Sequence, residues 1–200
     1  MGTVTARSVL RRVGVLLHDT SFVHWTESEL LDYLCDGQRE AVIHKPSAFV
    51  RQVEFVCAAG TLQTLPVDAN TLVDIPCNTN GPAISVTART ALDSLAPDWH
   101  QHKADPQVLH FCYNPQDPKH FYVYPRSPGG NRIQLSYNAV PPDIGIDAPL
   151  TLDDLYVGAL VDYVIYRAYS KDSEHAAHGD AAQRHYGAFL TSLVGKTKAT

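Results

Sequence analysis

Apolar positions along the chain change period twice, marking a helical start, a strand-rich middle and a helical end. Val9, Leu10, Val13, Leu16 and Leu17 fall at i, i+1, i+4, i+7 and i+8, one stripe that predicts a helix over residues 5–18. After the loop "DTSFVHW", Thr26 stands three residues before Glu29. That spacing predicts a capping box, in which hydroxyl and carboxylate each satisfy an orphan backbone N–H. The helix it opens buries Leu30, Leu31, Leu34, Ala41 and Val42 on one face. It turns Asp32, Asp36, Arg39 and Glu40 outward and stops at Pro46.

From Ser47 to Asn138 the pattern becomes that of short strands. "FVRQVEFVC" (Phe49–Cys57) and "GTLQTL" (Gly60–Leu65) read as strands joined at Ala58–Ala59. Leu72–Ile75, Ile84–Arg89, Val108–Tyr113, Phe121–Tyr124 and Ile133–Tyr137 follow, with a brief helical turn over Thr90–Leu95 and a polar loop "PDWHQHKADP". "PRSPGGN" reads as a hairpin connection, because Gly129 and Gly130 accept positive φ without steric cost. The middle is expected to be one small antiparallel sheet or barrel of six or seven strands.

"AVPPDIGIDAPL" is a stiff linker that Pro141–Pro142 keeps extended. Leu152–Ser170 is the next helix, Gly179 marks a bend, and Asp180–Leu193 is a final helix with Ala182, Tyr186, Phe189, Leu190 and Leu193 on a stripe. "GKTKAT" reads as a frayed tail. The fold class is α+β, a helical body of N-terminal and C-terminal helices carrying a central small antiparallel β-sheet or barrel insertion. Its expected parts are 1–46, 47–138 and 139–200.

The Leu152–Ser170 helix is apolar around most of its girth. Leu152, Leu155, Tyr156, Ala159, Leu160, Tyr163, Tyr166 and Arg167 form one broad side, and Val157, Val161, Val164, Ile165 and Ala168 fill most of the other. Such a helix is buried. Two arrangements satisfy it, a core helix within one copy or a helix shared between its own domain and a neighbouring subunit, where tyrosines are enriched.

Composition narrows the function classes. An apolar fraction of 44% and a charged fraction of 18% are those of a globular protein. A net charge of -5 argues against a dedicated nucleic-acid binder, which needs clustered Lys and Arg. Four cysteines, Cys35, Cys57, Cys77 and Cys112, form no C-x-x-C pair and fit a reduced intracellular setting. The N-terminal stretch has Arg11, Arg12 and Gly14 within it and reads as a packing helix rather than a targeting peptide. Ala6 stands where a myristoylation signal wants Ser or Thr. No apolar run approaches membrane-spanning length.

Ten histidines invite a metal reading, with His100-x-His102, His110-x-Cys112 and His175/His178 as the best local pairs. None has a third or fourth ligand at a spacing typical of a site, so no metal, cofactor or catalytic residue is expected. Nucleophile-elbow and phosphate-loop motifs do not occur. Asp153–Asp154 opens a helix, where acids complement the macrodipole. The aromatic strands "HFCYN" and "FYVYP" lack a basic groove and read as sheet packing rather than base stacking.

The segment "DLYVGALVDYVIYRAYSKDSEHAAHGDAAQRHYGAFLTSL" resembles the C-terminal part of head-to-tail adaptor (connector) proteins of tailed bacteriophages. That family's run ends in a Tyr-Arg-Ala-Tyr-Ser-Lys-Asp element followed by a helix with His-Tyr and Phe. "HDTSFVHWTESELLDYLCDGQREAVIHKPSA" resembles the family's opening, with Trp25 before a helix carrying Glu29, Leu30, Leu31, Gln38 and Glu40. "LDSLAPDWH" and "FYVYP" are similar as well. Cys35-Asp36-Gly37 departs from the Asn and Ala expected there.

The resemblance implies a virion structural protein, not an enzyme, located at the head–tail junction after assembly in the host cytoplasm. It implies a ring of copies, typically twelvefold, that docks on the portal protein and carries tail or nozzle proteins. Genomic DNA would pass through the lumen without sequence-specific contact, and no membrane is involved. Under this reading the tyrosine-rich helix builds the ring. The candidate interface or packing residues are Trp25, Tyr163, Ile165, Tyr166, Arg167, Tyr169, Tyr186 and Phe189. The alternatives are a tail-completion or neck protein further down and a tail-associated hydrolase. Whether any segment refolds on docking is not written in the sequence, and the candidates are the Pro141–Ile146 linker and the C-terminal tail.

Overall fold

The computed structural model describes residues 2–171 and 176–195. The fold is α+β, with helices at both ends of the chain and two small sheets between them. The chain divides into a helical unit, Met1–Phe49 with Pro141–Thr200, and a strand-rich unit, Val50–Val140.

In the helical unit α1 spans Ala6–Leu16 and α2 spans Glu27–His44. The Thr5 hydroxyl accepts from Ser8 N–H at the start of α1, and Thr26 accepts from Glu29 N–H at 3.3 Å at the start of α2. Between them the Asp19 carboxylate accepts from the backbone N–H groups of Val23, His24 and Trp25. Those three bonds hold the carboxyl below its ordinary pKa and wrap the loop that delivers Trp25 to the core. Ala6, Val9, Leu10 and Val13 are buried along α1, whereas Val15 and Leu16 face outward. Leu16 therefore departs from the expected stripe, at the point where the helix ends.

α4 spans Val157–Lys171 and α5 spans Ala176–Gly195. Asp153 caps the short turn before α4 by accepting from Leu155 N–H, and Asp154 accepts from Thr3 N–H, Val4 N–H and the Thr3 hydroxyl. The expected bend at Gly179 is not there, since α5 runs through it. A glycine inside a helix costs about 1 kcal/mol relative to alanine, too little to break a helix held by packing. α4 packs most extensively on α5 and also on α2 and α1. Its Leu160, Val164 and Ile165 are at most 1% exposed, each contributing about 1.5–3 kcal/mol of burial. The segment before α4 is tied to α1 by Ala6 N–H to Ala148 O, Arg7 N–H to Ile146 O and Leu150 N–H to Val4 O.

The strand-rich unit holds β1 (Val50–Val56), β2 (Gly60–Thr64), β3 (Ala69–Asp74), β4 (Ser85–Val86), α3 (Arg89–Leu95), β5 (His110–Tyr113), β6 (His120–Ser127) and β7 (Arg132–Ala139). Instead of one antiparallel sheet or barrel there are two sheets, ordered β1-β7-β3 and β2-β6-β5-β4, and β4 pairs with β5 in parallel. β1 and β2, adjacent in sequence, lie in different sheets, so Ala58–Ala59 is a crossing. "PRSPGGN" likewise carries the chain from β6 in one sheet to β7 in the other rather than closing a hairpin. Gly129 and Gly130 do take positive φ, 93° and 84°. The inner faces meet through Phe55 and Phe121, whose ring centroids are 5.7 Å apart, over buried Ile133, Leu135, Tyr137 and Val123. The opposite face of β6 carries Tyr122 and Tyr124, covered by Leu92 of α3 and fully buried Trp99. Sheet β2-β6-β5-β4 is thus covered on both sides, because Trp99 folds back from what reads as a polar loop.

Candidate functional site

All eight candidate residues belong to the helical unit, where Tyr163, Tyr166, Tyr186 and Phe189 form an aromatic seam along α4 and α5, and Trp25 and Tyr169 form a separate pair. Trp25, Tyr163, Ile165 and Phe189 are buried, and Tyr166, Arg167, Tyr169 and Tyr186 are half-buried at the rim. Tyr163 sits 5.1 Å from Phe189 and 5.7 Å from Tyr166 between ring centroids. Tyr166 stands 4.8 Å from Tyr186, and Tyr186 stacks on Phe189 at 6.0 Å. At the other end Trp25 meets Tyr169 edge-on at 6.3 Å. Offset and edge-to-face pairs of this kind add about 0.5–1.5 kcal/mol each beyond their burial.

The tyrosines occupy this seam because of the backbone opposite. Gly37 of α2 is buried where a Cβ would stand 2.8 Å from Cδ1 of Tyr163, so only glycine lets the two helices approach. One residue on, Gln38 is fully buried, and its Oε1 accepts from Thr151 N–H at 2.8 Å and Leu152 N–H at 3.2 Å. This side chain satisfies the backbone of the segment entering α4.

Charge is organised along the same rim. Arg167 donates to Asp36 and to the Tyr163 hydroxyl, both at 3.2 Å, and its guanidinium lies 4.9 Å from the Tyr33 ring centroid. Burial pushes the Tyr163 phenol above its ordinary pKa, against the opposing pull of Arg167. Arg39 bridges Asp36 and Asp143, Lys171 pairs with Glu29 at 2.7 Å, and His185 with Asp162 at 2.8 Å. Tyr186 donates to Glu40, and burial first, then that carboxylate, raises its pKa. The arrangement locks side chains in place.

The histidines are used singly. His100 stacks on Trp99 at 3.7 Å and bonds Thr61, His102 pairs with Asp98, and His110 stacks on Tyr124. His175 and the charged stretch 172–174 lie outside the described residues, as does the tail from 196. Among the described residues no group of three or more His, Cys, Asp or Glu is placed to hold a metal ion. No helix among them is long and apolar enough to cross a membrane. Outside the seam, the helical unit exposes Val15 and Leu16 beside Arg11 and Arg12 in a groove of about 330 Å³. Leu190, Thr191 and Val194 line another of about 380 Å³ at the end of α5.

Sequence reasoning named Gly37, Gln38 and Asp154 and the segment holding Trp99 but missed the roles that the structure gives them. Gln38 had a findable signal, since it sits four residues after Leu34 and three before Ala41 on the apolar stripe of α2. A polar residue on a buried stripe needs a partner. Trp99 had none, being flanked by Pro, Asp and His.

A search of curated proteins finds no match to the chain. The family model described as SU10 adaptor protein matches residues 4–199, from before α1 to beyond α5 and through both units. A match of that extent places the helical seam and the strand-rich unit in one family, and the chain belongs to the SU10 adaptor proteins, phage adaptors with a structural role.

Proposed function

We propose that this chain builds a closed ring, twelvefold, at the head–tail junction of the virion, seated on the portal protein and carrying tail or nozzle proteins. The genome passes through the lumen, and the chain performs no catalysis. The observation that carries this reading is the family match across residues 4–199. The helical unit is the ring's body and the strand-rich unit the part that reaches toward partners. The packing of α4 supports the assignment. A head-to-tail contact closes only at one rotation per subunit, so the body must be rigid before it meets its neighbours. A core already locked by Gly37, Gln38 and the tyrosine–phenylalanine seam has that rigidity. The half-buried Tyr166, Tyr169 and Tyr186 lie at its rim, where large amphipathic side chains serve an interface at low entropic cost.

The test is reconstitution with purified portal, read by light scattering and electron microscopy. The expected outcome is a ring of this chain on the portal, with twelve copies. A chain that neither binds portal nor associates in its presence overturns the proposal. Cross-links to tail components in the absence of any to portal would place the protein further down the neck.

A further inference from the structure

The strand-rich unit has four sheet edges, and three are blunted. β4 is two residues long, β2 breaks register between Gly60 and Leu62, and β3 breaks it twice. Short or bulged edges resist strand addition. β1 is different. All seven of its residues, Val50–Val56, pair with β7 in unbroken register, with no proline and no bulge.

The hydrogen-bond pattern shows which groups this edge presents. Arg132 and Gln134 of β7 turn away from β1, since Thr79 N–H donates to Arg132 O and Gln134 N–H to Cys77 O, both at 2.9 Å. β7 therefore faces β1 with its odd-numbered residues, and the register Val53↔Leu135 sets the odd residues of β1 against them. The backbone N–H and C=O of Val50, Gln52, Glu54 and Val56 point to the open side. All four residues are exposed.

We propose that a second copy of this chain covers the edge, by antiparallel pairing of β1 with β1 about a two-fold axis at Val53. The strand is complementary to itself in that register. Val50 meets the partner's Val56, Gln52 meets the partner's Glu54 as amide to carboxylate, and Val53 meets the partner's Val53. On the half-buried face Arg51 lies over the partner's Phe55. Every outward backbone group of one copy lands on an outward group of the other. Sliding by one step in one direction sets Glu54 against the partner's Glu54, and in the other sets Glu54 against Val50 and strands Val56. Among the described residues no other edge is long and regular enough to pair with β1 head to tail. A two-fold contact cannot join neighbours of a cyclic ring. The dimer is therefore a state of the free chain, independent of the ring reading, and it shields an edge that would otherwise recruit strands at random.

The experiment uses the full chain. Light scattering over a concentration series is expected to show a reversible dimer for the wild type. Gln52→Pro removes an outward N–H group and leaves the β7 ladder intact, whereas Glu54→Pro does the same and also removes the carboxylate that pairs with Arg132 of β7. Each is expected to raise the dimer dissociation constant about tenfold or more while keeping wild-type circular dichroism. Val53→Cys reads the register directly. At a non-hydrogen-bonded pair on the two-fold axis it is expected to form an intermolecular disulfide on mild oxidation, whereas wild type and Arg51→Cys do not. Should either proline variant misfold, the other and the cysteine pair decide. A wild type monomeric at all concentrations, a Val53→Cys chain that does not cross-link, or folded proline variants that still dimerise would each overturn the proposal. The first two results together would leave the edge to a strand from another virion protein.

Discussion

Replacing Gln38 by Met removes one acceptor and keeps the length of the side chain, so it isolates what that amide does. Gln38 is 0% exposed and its Oε1 holds two buried backbone N–H groups, Thr151 and Leu152. Each orphaned buried donor costs about 1–3 kcal/mol, which sets a gross loss of about 2–6 kcal/mol. Against this, Nε2 of Gln38 finds no acceptor among the described residues, and removing it returns about 1–2 kcal/mol. The net expectation is a loss of about 1–4 kcal/mol. Urea denaturation followed by far-UV circular dichroism measures it as a lower midpoint at unchanged slope. For a chain of this length the melting temperature should fall by about 2–15 °C. Gln183→Met, at an exposed position of α5, should stay within about 0.5 kcal/mol of wild type. A Gln38→Met chain as stable as wild type would refute the claim that Gln38 anchors the entry to α4.

Four further outcomes are expected. Gly37→Val should cost about 2–3 kcal/mol, because its Cβ would press on the Tyr163 ring that stands 2.8 Å away, and thermal melting reads the loss. Ile165→Asp buries an unpaired carboxylate and should unfold the helical unit, whereas Tyr166→Asp at the half-buried rim should fold and yet fail to assemble on portal. Asp154 is held below the ordinary carboxylate pKa, first by the Thr3 hydroxyl and then by Val4 N–H, so its anchoring is fully present above about pH 4 and lost as pH falls through the lower folded value. Faster amide exchange at Thr3 and Val4 at low pH, abolished as a pH effect in Asp154→Asn, is the readout. Burial pushes the Cys57 thiol up to about 11, so iodoacetamide at pH 8 should label it only after unfolding.

Local rules were legible where the chain meets only itself. Thr26 caps as a hydroxyl at that position does, and the stripe of α2 appears because every buried position lies within one helical face. The strand order was not legible, for a physical reason. β1 pairs with residues about eighty positions away, and its nearest neighbour in sequence, β2, belongs to the other sheet. Alternation shows that a strand is half-buried, without saying against what. "PRSPGGN" illustrates the same limit, since positive φ at two glycines serves a crossing between sheets as well as a hairpin.

The tyrosine-rich helix shows where periodicity and assembly part company. Its apolar girth states how much cover α4 needs and leaves open which chain supplies it. α1, α2 and α5 of the same copy supply most of it, leaving Ile165 and Val164 at most 1% exposed. The core leaves Tyr166, Tyr169 and Tyr186 half-covered, and the proposed function assigns these three to a neighbour. Under the proposed function, the face that meets a neighbour is the remainder of the core's packing. That remainder depends on the closeness of α2 to α4, which Gly37 decides. Widening that gap shifts the rim tyrosines relative to one another before any interface residue is touched. Gly37→Val should accordingly weaken ring formation by more than its loss of stability accounts for, measurable as portal binding at a temperature where the variant is still fully folded. Binding equal to wild type under that condition would show that the rim is set by something other than the helix spacing.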